Sequence, residues 1–429
     1  MRLAAGKVAE CPFSDKLVNE GRELLFLALE YAGATLPVRE RPEGQPLFLA
    51  AIEEVLRISR DPDYAAFYTS DHSFAKGVKL GVDVELPRVQ AQFQEEEKLG
   101  AMIQLPMQEA SKRYGERLRF ASLGAIEKKD GTYRVTHDAT HGVGVNSAIQ
   151  LKDQVRYPTA GDLRTAIMIL PRAFFGLTGD VKRAHRLVKL AEEDWGYTAC
   201  RTGAQSKDML WLNTVGTFGV SSIAFHWCRL MGGMGRAAYY LIACLEVLRM
   251  VYSDDLFWVT QDTANGVDYI VLQVFFYVIL GVPFSWKKFC GGVEFSWVGF
   301  TLSIKKRALG ISASRASWLV SWLRKTACEK WVKIADLQAV MGRLSFALTA
   351  LGHLRPFLGP LYAWLAVARA QRVGQLPKAV VYIMLFLASA LEGHGRLLPV
   401  WDVCPPRSVS CSEQMRTRKA MRSGSAGGR

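Results

Sequence analysis

The stretch VLRMVYSDDLFWVT, residues 247 to 260, sets two adjacent aspartates, Asp254 and Asp255, between two apolar runs rich in β-favouring residues. The two runs predict strands and the polar centre predicts a tight turn, so the stretch favours a β-hairpin. Adjacent carboxylates repel each other, and two explanations fit their position. Aspartate is common in turns because its side chain bonds nearby backbone, and paired carboxylates also offer oxygen ligands to a divalent cation.

A third carboxylate, Asp180, closes the stretch AFFGLTGD at residues 173 to 180, which predicts a strand followed by a turn and a helix. If that strand lies beside the hairpin, the three acids meet at one end of a sheet. Three carboxylates suit two hard cations, which can activate an attacking oxygen and stabilise a leaving one in phosphoryl transfer. A solvated turn explains the pair at the hairpin equally simply, so other parts of the chain are needed to choose.

The composition is that of a folded and basic protein. Half of the 429 residues are hydrophobic, which supports a large core and two or three domains or one multi-lobed enzyme. The net charge of +14 suits a polyanionic partner, nucleic acid first and an anionic membrane second. None of the eight cysteines forms a C-x-x-C pair, which argues against a zinc ribbon or a disulfide framework. With no secretory signal at the start, we expect an intracellular protein, cytoplasmic or nuclear.

One uncharged run, Tyr269 to Trp286, is long enough to suggest a membrane span. Gln273 interrupts it, and Gly281 with Pro283 ends the helical part early. The pattern therefore favours a buried helix followed by a turn, and no membrane partner is expected.

The other patterns mix helices and strands, which predicts an α+β protein. Residues 1 to 115 are mainly helical in pattern, and QAQFQEEEKLGAMIQ (90 to 104) predicts an exposed helix. A hairpin is predicted around KKDGT (128 to 132), and a strand, a glycine-containing turn and a long helix from Trp211 onward. Ser314 to Leu391 is rich in helix, and the Ser/Arg/Gly-rich end is predicted to be disordered.

Six motifs in order resemble those of reverse transcriptases. They are IEKKDGTYRVTHDATHGVGVN (126 to 146) as the fingers hairpin, GLTGDVKRAH (176 to 185) as the first catalytic motif, VGTFGVSS (215 to 222) as the template and nucleotide loop, YSDD (252 to 255) as the Y-x-D-D motif, GVPFSWKK (281 to 288) as the lysine motif and VEFSWVGF (293 to 300) as the primer grip. A weaker resemblance, to retrotransposon polymerases, covers residues 335 to 365.

The resemblance implies a right-hand polymerase fold with fingers, a palm of antiparallel sheet plus helices, and an α-helical thumb. The implied domains are an N-terminal, mainly helical extension at 1 to 115, fingers and palm at 116 to 305, a helical thumb at 306 to 372, and a helical connection with a basic tail at 373 to 429.

The same resemblance assigns roles to individual residues. Asp180, Asp254 and Asp255 would hold two Mg²⁺ ions, with Mn²⁺ as a substitute, and Lys288 would be the general acid toward pyrophosphate. Lys129 and Arg134 would neutralise the triphosphate, for which the turn after Asp180, beginning at Val181, would also supply backbone amides. The resemblance also implies that His185, Phe218 and Gly219 line the nucleotide pocket. Trp297, Val298 and Gly299 would contact the primer.

The chain departs from the family pattern after Asp180. His185 stands where the family usually has tyrosine or phenylalanine, whose ring blocks a ribose 2′-OH, and this puts sugar discrimination in doubt. The common D-x-x-D-A pattern here is DVKRA, in which Lys182 and Arg183 either add charge beside the phosphates or begin a solvated basic helix.

Two other clusters have alternative explanations. His137 and His141 are four residues apart, but no third ligand is near in sequence, so structural or template-contacting roles are favoured over a metal site. Aromatic residues alternate with basic ones between Arg315 and Lys333, which predicts either a surface that follows a duplex backbone or a core stripe with a solvated basic face; the aromatic members are Trp318, Trp322 and Trp331.

The function that follows is template-directed nucleotidyl transfer. The protein would extend a primer 3′-OH with deoxynucleoside triphosphates on an RNA or DNA template, as an RNA-directed DNA polymerase of retrotransposon type. Two alternatives remain: an RNA-synthesising polymerase of the same fold, and a catalytically silent, nucleic-acid-binding relic of a retroelement.

Overall fold

The computed structural model describes residues 2–64, 68, 73–77, 93–127, 133–141, 144–151, 153–170, 172–201, 208–242, 246–261 and 263–400. Its α-helices are α1 (Asp15–Tyr31), α2 (Leu49–Ile58), α3 (Phe93–Lys98), α4 (Met107–Tyr114), α5 (Val145–Ala148), α6 (Ala160–Ile169), α7 (Ser221–Ile242), α8 (Gly266–Ile279), α9 (Ala313–Glu329), α10 (Ile334–Ala350), α11 (Leu358–Ala368) and α12 (Lys378–Leu391).

The strands within the described residues are short. They are β1 (Met102–Pro106), β2 (Ser122–Glu127), β3 (Tyr133–Asp138), β4 (Ala173–Asp180), β5 (Met209–Asn213), β6 (Val247–Tyr252), β7 (Asp255–Gln261), β8 (Cys290–Gly292), β9 (Glu294–Trp297), β10 (Phe300–Ser303), β11 (Ala308–Ile311), β12 (Trp331–Lys333), β13 (Val373–Gln375) and β14 (Leu397–Pro399).

The central sheet has the strand order β6-β7-β4-β8, and every neighbouring pair is antiparallel. Helices α7 and α8 pack on it and on each other. Aromatic rings also approach the sheet closely, because Gly176 and Gly179 of β4 have no side chain. A Cβ at Gly176 would lie 2.3 Å from the ring of Phe295, and one at Gly179 would lie 2.7 Å from the ring of Phe289.

Helix α8 confirms the prediction for the uncharged run. It ends at Ile279, and Gly281 adopts φ +88° where a Cβ would collide with the carbonyl oxygen of Pro46. The amide of Gln273 is buried and accepts a hydrogen bond from Nε1 of Trp258 at 3.1 Å, which explains a polar residue in an apolar helix. No helix among the described residues is long and apolar enough to cross a membrane.

The N-terminal extension is not a separate domain. One hydrophobic core contains residues of α1 and α2, such as Phe26 and Ile52, together with Trp227 of α7 and Tyr277 of α8. Strand β1 also pairs with β5 across the expected boundary at 115. The helices on both sides of residue 115 therefore bury the same apolar surface.

Packing also continues across the expected boundary at 372. Helix α12, assigned from sequence to a connection, packs on α9, and one core holds Leu323 of α9, Leu344 of α10 and Leu387 of α12. Strand β13 pairs with β12, which ties the two sides together a second time. The helical unit extends from α9 to α12, and a second sheet of order β14-β11-β10-β9 joins it to the central sheet.

Two local predictions are also corrected. The exposed helix predicted at 90 to 104 is limited among the described residues to α3, and Met102–Pro106 is the strand β1. The segment after Asp180 forms a 3₁₀ turn at Ala184–Leu187 instead of an α-helix, because Arg183 adopts a left-handed φ of +55°.

Candidate active site

The three predicted acids meet at one end of the central sheet. Strand β4 is antiparallel to β7, and its register sets Asp180 directly opposite Asp255. The amide of Val181 donates to the carbonyl oxygen of Asp254 at 3.0 Å, which fixes the hairpin tip against the end of β4. The sequence prediction of a strand ending at Asp180 beside a strand-turn-strand is confirmed.

The turn at Ser253 and Asp254 is supported by contacts with two residues that the sequence did not indicate. Ser253 has a left-handed φ of +54°, which is uncommon outside glycine. The indole Nε1 of Trp227 donates to its carbonyl oxygen at 2.9 Å. The ring of Tyr252 lies 4.7 Å from that of Tyr157, centroid to centroid. Neither Trp227 nor Tyr157 has a local signal, because both contacts are made by residues remote in sequence.

Charge at this site is unbalanced toward the negative. The ammonium of Lys288 donates to Oδ1 of Asp180 at 2.7 Å, and the Asp180 side chain is buried. Burial, followed by the charges of Asp254 and Asp180, raises the pKa of Asp255 to about 6, and Lys288 opposes this rise. Three carboxyl groups therefore share one nearby ammonium, and a further cation would relieve their repulsion.

The donor chemistry fits a hard divalent cation, but the side chains do not form a finished ligand set. Carboxylate oxygens are the ligands that Mg²⁺ and Mn²⁺ prefer. Within the described ranges, no group of three or more His, Cys, Asp or Glu side chains is arranged to hold a metal ion. Lys288 contacts one of the two carboxylate oxygens of Asp180, which leaves the other oxygen for a cation.

The predicted nucleotide-pocket residues lie together. The rings of His185 and Phe218 are 4.6 Å apart between centroids. The amide of His137 donates to the carbonyl oxygen of Phe218 at 2.9 Å, so the loop at 215 to 220 is docked on the end of β3. Gly219 has φ +104°, and a Cβ there would lie 1.8 Å from the carbonyl oxygen of His137. Only glycine allows this approach.

Three predictions for the triphosphate have different outcomes. Lys129 lies outside the described residues, and of Arg134 only the backbone in β3 is described. The amides of Val181 and Lys182 donate to the carbonyl oxygens of Asp254 and Pro283, at 3.0 and 2.7 Å. Both of these amides hold the turn in place, and the triphosphate contact expected of the turn stays a prediction.

The two histidines do not share a site. His137 is fully buried, and burial, with the charge of Arg186, lowers its pKa to about 3, so the ring is neutral. His141 is exposed and lies 3.0 Å from a carboxylate oxygen of Asp138. These are structural contacts, as the sequence favoured.

The predicted primer loop is the turn between β9 and β10. Val298 and Gly299 both have positive φ, +47° and +85°, and the guanidinium of Arg315 donates to the carbonyl oxygen of Gly299 at 3.0 Å. The ring of Trp297 is buried, 5.1 Å from that of Phe257. Trp297 can therefore influence a primer only through the backbone of the turn, because its ring belongs to the core under the acids.

The aromatic and basic residues of the helical unit divide between core and surface. Trp322 packs on the helical core, whereas Trp318 and Trp331 are exposed. A groove of about 680 Å³ lies between α9 and α10. In it, the guanidinium of Arg343 covers the ring of Trp318 at 4.3 Å, and Arg315 lies 5.6 Å from the ring centre of Phe346.

No protein-family model matches the chain, and no curated protein matches its sequence. Solved structures of the foamy viral protease-reverse transcriptase do match, at 14% identity. The dRH form in complex with double-stranded DNA has a TM-score of 0.55 over 91% of this chain and 63% of that one. The complex with RNA/DNA hybrid has a TM-score of 0.52 over 87% of this chain and 46% of that one.

A further complex of the same viral protein, with double-stranded DNA, has a TM-score of 0.52 over 87% of this chain and 71% of that one. The chain thus spans less than two thirds of the first two of these structures. At this identity the likeness concerns the fold alone. The protein has a reverse-transcriptase-like fold of mixed helix and sheet.

Proposed function

We propose that the protein is a template-directed polymerase that extends a primer 3′-OH with deoxynucleotides on RNA or DNA. The observation that carries this proposal is the register of β4 and β7, which sets Asp180 opposite Asp255 with Asp254 beside them at the hairpin tip. In a reverse-transcriptase-like fold, this is where paired carboxylates can support phosphoryl transfer.

The acids would hold two Mg²⁺ ions, or Mn²⁺, which when bound supply activation of the 3′-OH and stabilisation of the leaving oxygen. Asp180 would bind the cation through the carboxylate oxygen that Lys288 does not contact. Lys288 would then lie close enough to donate a proton toward pyrophosphate.

Other residues would position the substrates. The His185 and Phe218 rings, with Gly219, would form the wall of the nucleotide pocket, and Lys129 and Arg134 would neutralise the triphosphate. The backbone of Val298 and Gly299 would support the primer end. The groove of Arg315, Trp318 and Arg343 would follow the duplex, because it combines cations with an exposed ring. The retrotransposon type is also a proposal, and it rests on the resemblance of residues 335 to 365.

Specific observations favour each alternative. His185 is a narrower barrier to a ribose 2′-OH than tyrosine or phenylalanine, which favours an RNA-synthesising polymerase. The ion pair of Lys288 with Asp180 favours a catalytically silent, nucleic-acid-binding protein, because it already neutralises one of the carboxylates that a metal would bind.

Primer extension by the purified protein tests the proposal. RNA and DNA templates are offered with deoxy- or ribonucleotides and Mg²⁺ or Mn²⁺. Asp254→Asn is expected to lower the rate by at least about 10³-fold, since a metal ligand loses its charge. The matched control is Asp268→Asn, which removes one exposed aspartate on α8 and should leave the rate unchanged.

The outcomes separate the alternatives. Extension with deoxynucleotides on RNA that is lost only in Asp254→Asn supports the proposal. A preference for ribonucleotides indicates the RNA-synthesising alternative. Duplex binding without extension, with either metal, contradicts the proposal and supports the silent protein.

A further inference from the structure

A basic cavity of about 610 Å³ lies beside the end of β4. Of its lining residues, only Lys182, Arg183 and Pro283 belong to the six motifs that suggested the family. Three segments and Pro283 form it: the loop at 41 to 46, the turn at 98 to 101, and the segment at 182 to 187 that follows Asp180. Two of the three segments come from the N-terminal extension, to which the sequence assigned no chemistry.

The cavity wall is built by close backbone contacts. Gly44 and Gly100 have left-handed φ of +70° and +67°, and a Cβ on Gly44 would lie 2.8 Å from the carbonyl oxygen of Gly100. The amide of Phe48 donates to the carbonyl oxygen of Leu280 at 3.0 Å, and that of Lys182 to Pro283 at 2.7 Å. These bonds fix the loop at 41 to 46 on the palm and give the cavity a defined shape.

Positive charge dominates the lining. Arg41, Lys98 and Lys182 are exposed, and none of them forms an ion pair with another residue in the part of the chain that the structure describes. Arg183 also lines the cavity and shares the carboxylate of Glu96 with Arg186. Glu43 is the one acid among the lining residues described. Three cations are thus available to an anion.

Arg186 and Gln45 of the lining are largely buried and are held by hydrogen bonds. Arg186 is held by Glu96 and by Oδ1 of Asn213, at 2.7 and 2.6 Å, and its own carbonyl oxygen accepts from Nε2 of Gln45 at 3.4 Å. Gln45 is only 4% exposed, and its Oε1 has no hydrogen-bond partner among the described residues.

We propose that this cavity binds inorganic pyrophosphate. The anion offers several charged oxygens to Arg41, Lys98 and Lys182, and charge-assisted bonds to phosphate oxygens are strong. Lys182 is two residues from Asp180, so the cavity adjoins the place where the proposed reaction releases this product.

The choice of pyrophosphate rests on the proposed function, because pyrophosphate is the product of that reaction. The phosphate chemistry is shared with free nucleotides and with single-stranded nucleic acid. The binding experiment must therefore include a deoxynucleoside triphosphate and a short single strand beside pyrophosphate.

Isothermal titration calorimetry of the full chain, with a chelator and no divalent metal, tests the cavity without the metal-dependent site. Arg41→Gln combined with Lys98→Gln is expected to weaken pyrophosphate binding by at least about tenfold. The matched control is Lys16→Gln combined with Lys378→Gln, which removes the same charge from exposed helix positions outside the cavity and should leave the affinity unchanged. Thermal unfolding verifies that each variant is folded.

Equal affinity in the cavity and control variants would overturn the proposal, as would no binding to the parent protein. So would binding of the triphosphate or the single strand that is tighter and depends on the same residues, since the ligand would then be a different one. Asp254→Asn should bind pyrophosphate as the parent does. If the protein binds pyrophosphate but extends no primer, the proposed function is contradicted and the pyrophosphate site is supported. If it extends primers without cavity-dependent binding, the function is supported and the site is contradicted.

Discussion

Two carboxyl groups, Asp255 of the central sheet and Glu53 of α2, hold their protons more tightly than free ones, and burial is the main cause for both. Burial and the charges of Asp254 and Asp180 raise the pKa of Asp255 to about 6, while burial and the charge of Glu54 raise that of Glu53 to about 7. The two differ in what surrounds them. Asp255 faces other acids at the end of the sheet, where a cation can be used, whereas Glu53 lies inside the core on α2.

Glu53 is expected to make stability depend on pH. Its folded pKa lies above the unfolded value, so the folded state binds the extra proton and the stabilisation is lost as pH rises from about 5 to 8. Glu53→Gln should gain stability relative to the parent over that range, by about 3 kcal/mol at pH 8, since one pKa unit corresponds to about 1.4 kcal/mol. Urea unfolding at pH 5 and pH 8 measures the difference.

The neighbouring Glu54 is the control for this prediction. Burial raises its pKa, but hydrogen bonds from Arg57 and Thr35 outweigh burial and lower it. Glu54→Gln should therefore lose stability at pH 8, in the opposite direction. If Glu53→Gln shows the same difference from the parent at both pH values, the carboxyl of Glu53 is not perturbed as described.

At the scale of elements, the loop at 215 to 220 depends on one glycine. Gly219 combines a φ that only glycine readily adopts with a backbone contact that leaves no space for a methyl group. Gly219→Ala is expected to cost about 3 kcal/mol or more in the free energy of unfolding. It should also displace Phe218 from His185, because the loop would leave the end of β3.

Gly342 of α10 provides the matched control. A Cβ at Gly342 meets nothing within 4 Å, so Gly342→Ala should stabilise the protein by about 0.5–1 kcal/mol through better helix propensity. Thermal or urea unfolding of the two variants compares the same chemical change in opposite environments. Similar effects from both would contradict the close contact at Gly219.

Elements with a strong local pattern could be predicted from sequence, and those that depend on remote partners could not. The hairpin at 247 to 261 and the glycine-containing turn before α7 have their turn residues and periodicity in one short stretch. Strand β1 overlaps the helix predicted at 90 to 104, because its partner, β5, lies about a hundred residues away. For the same reason the acids of the site could be named in advance, whereas Trp227 and Tyr157, which support their turn, could not.

At the scale of the molecule, the helical unit is larger than sequence indicated. Leu387 of α12 is 0% exposed within the core that also contains α9 and α10. Leu387→Ala should lower the free energy of unfolding by about 2–5 kcal/mol, since it leaves a cavity in that core. Leu385→Ala on the same helix is the control, because Leu385 is 39% exposed and its loss should cost less than about 1 kcal/mol.

Denaturant unfolding distinguishes one helical unit from two. If α12 were an independent connection, Leu387→Ala would leave the stability of α9 and α10 unchanged, and limited proteolysis would cut near residue 373 in the folded protein. Lower stability of the whole unit, without cleavage there, is the result expected from the shared core.

The packing of α1 on α8 also has a consequence during synthesis on the ribosome, because the two helices are made at different times. The two helices are separated by roughly 250 residues, so at ordinary elongation rates α1 waits about 10–50 s for its partner to be made. During that interval the side of the nascent helix that packs on α8, at Gly21, is uncovered. Because α1 packs on α8, we expect chaperones to bind α1 early in translation. We also expect aggregation when translation stalls before α8 is made.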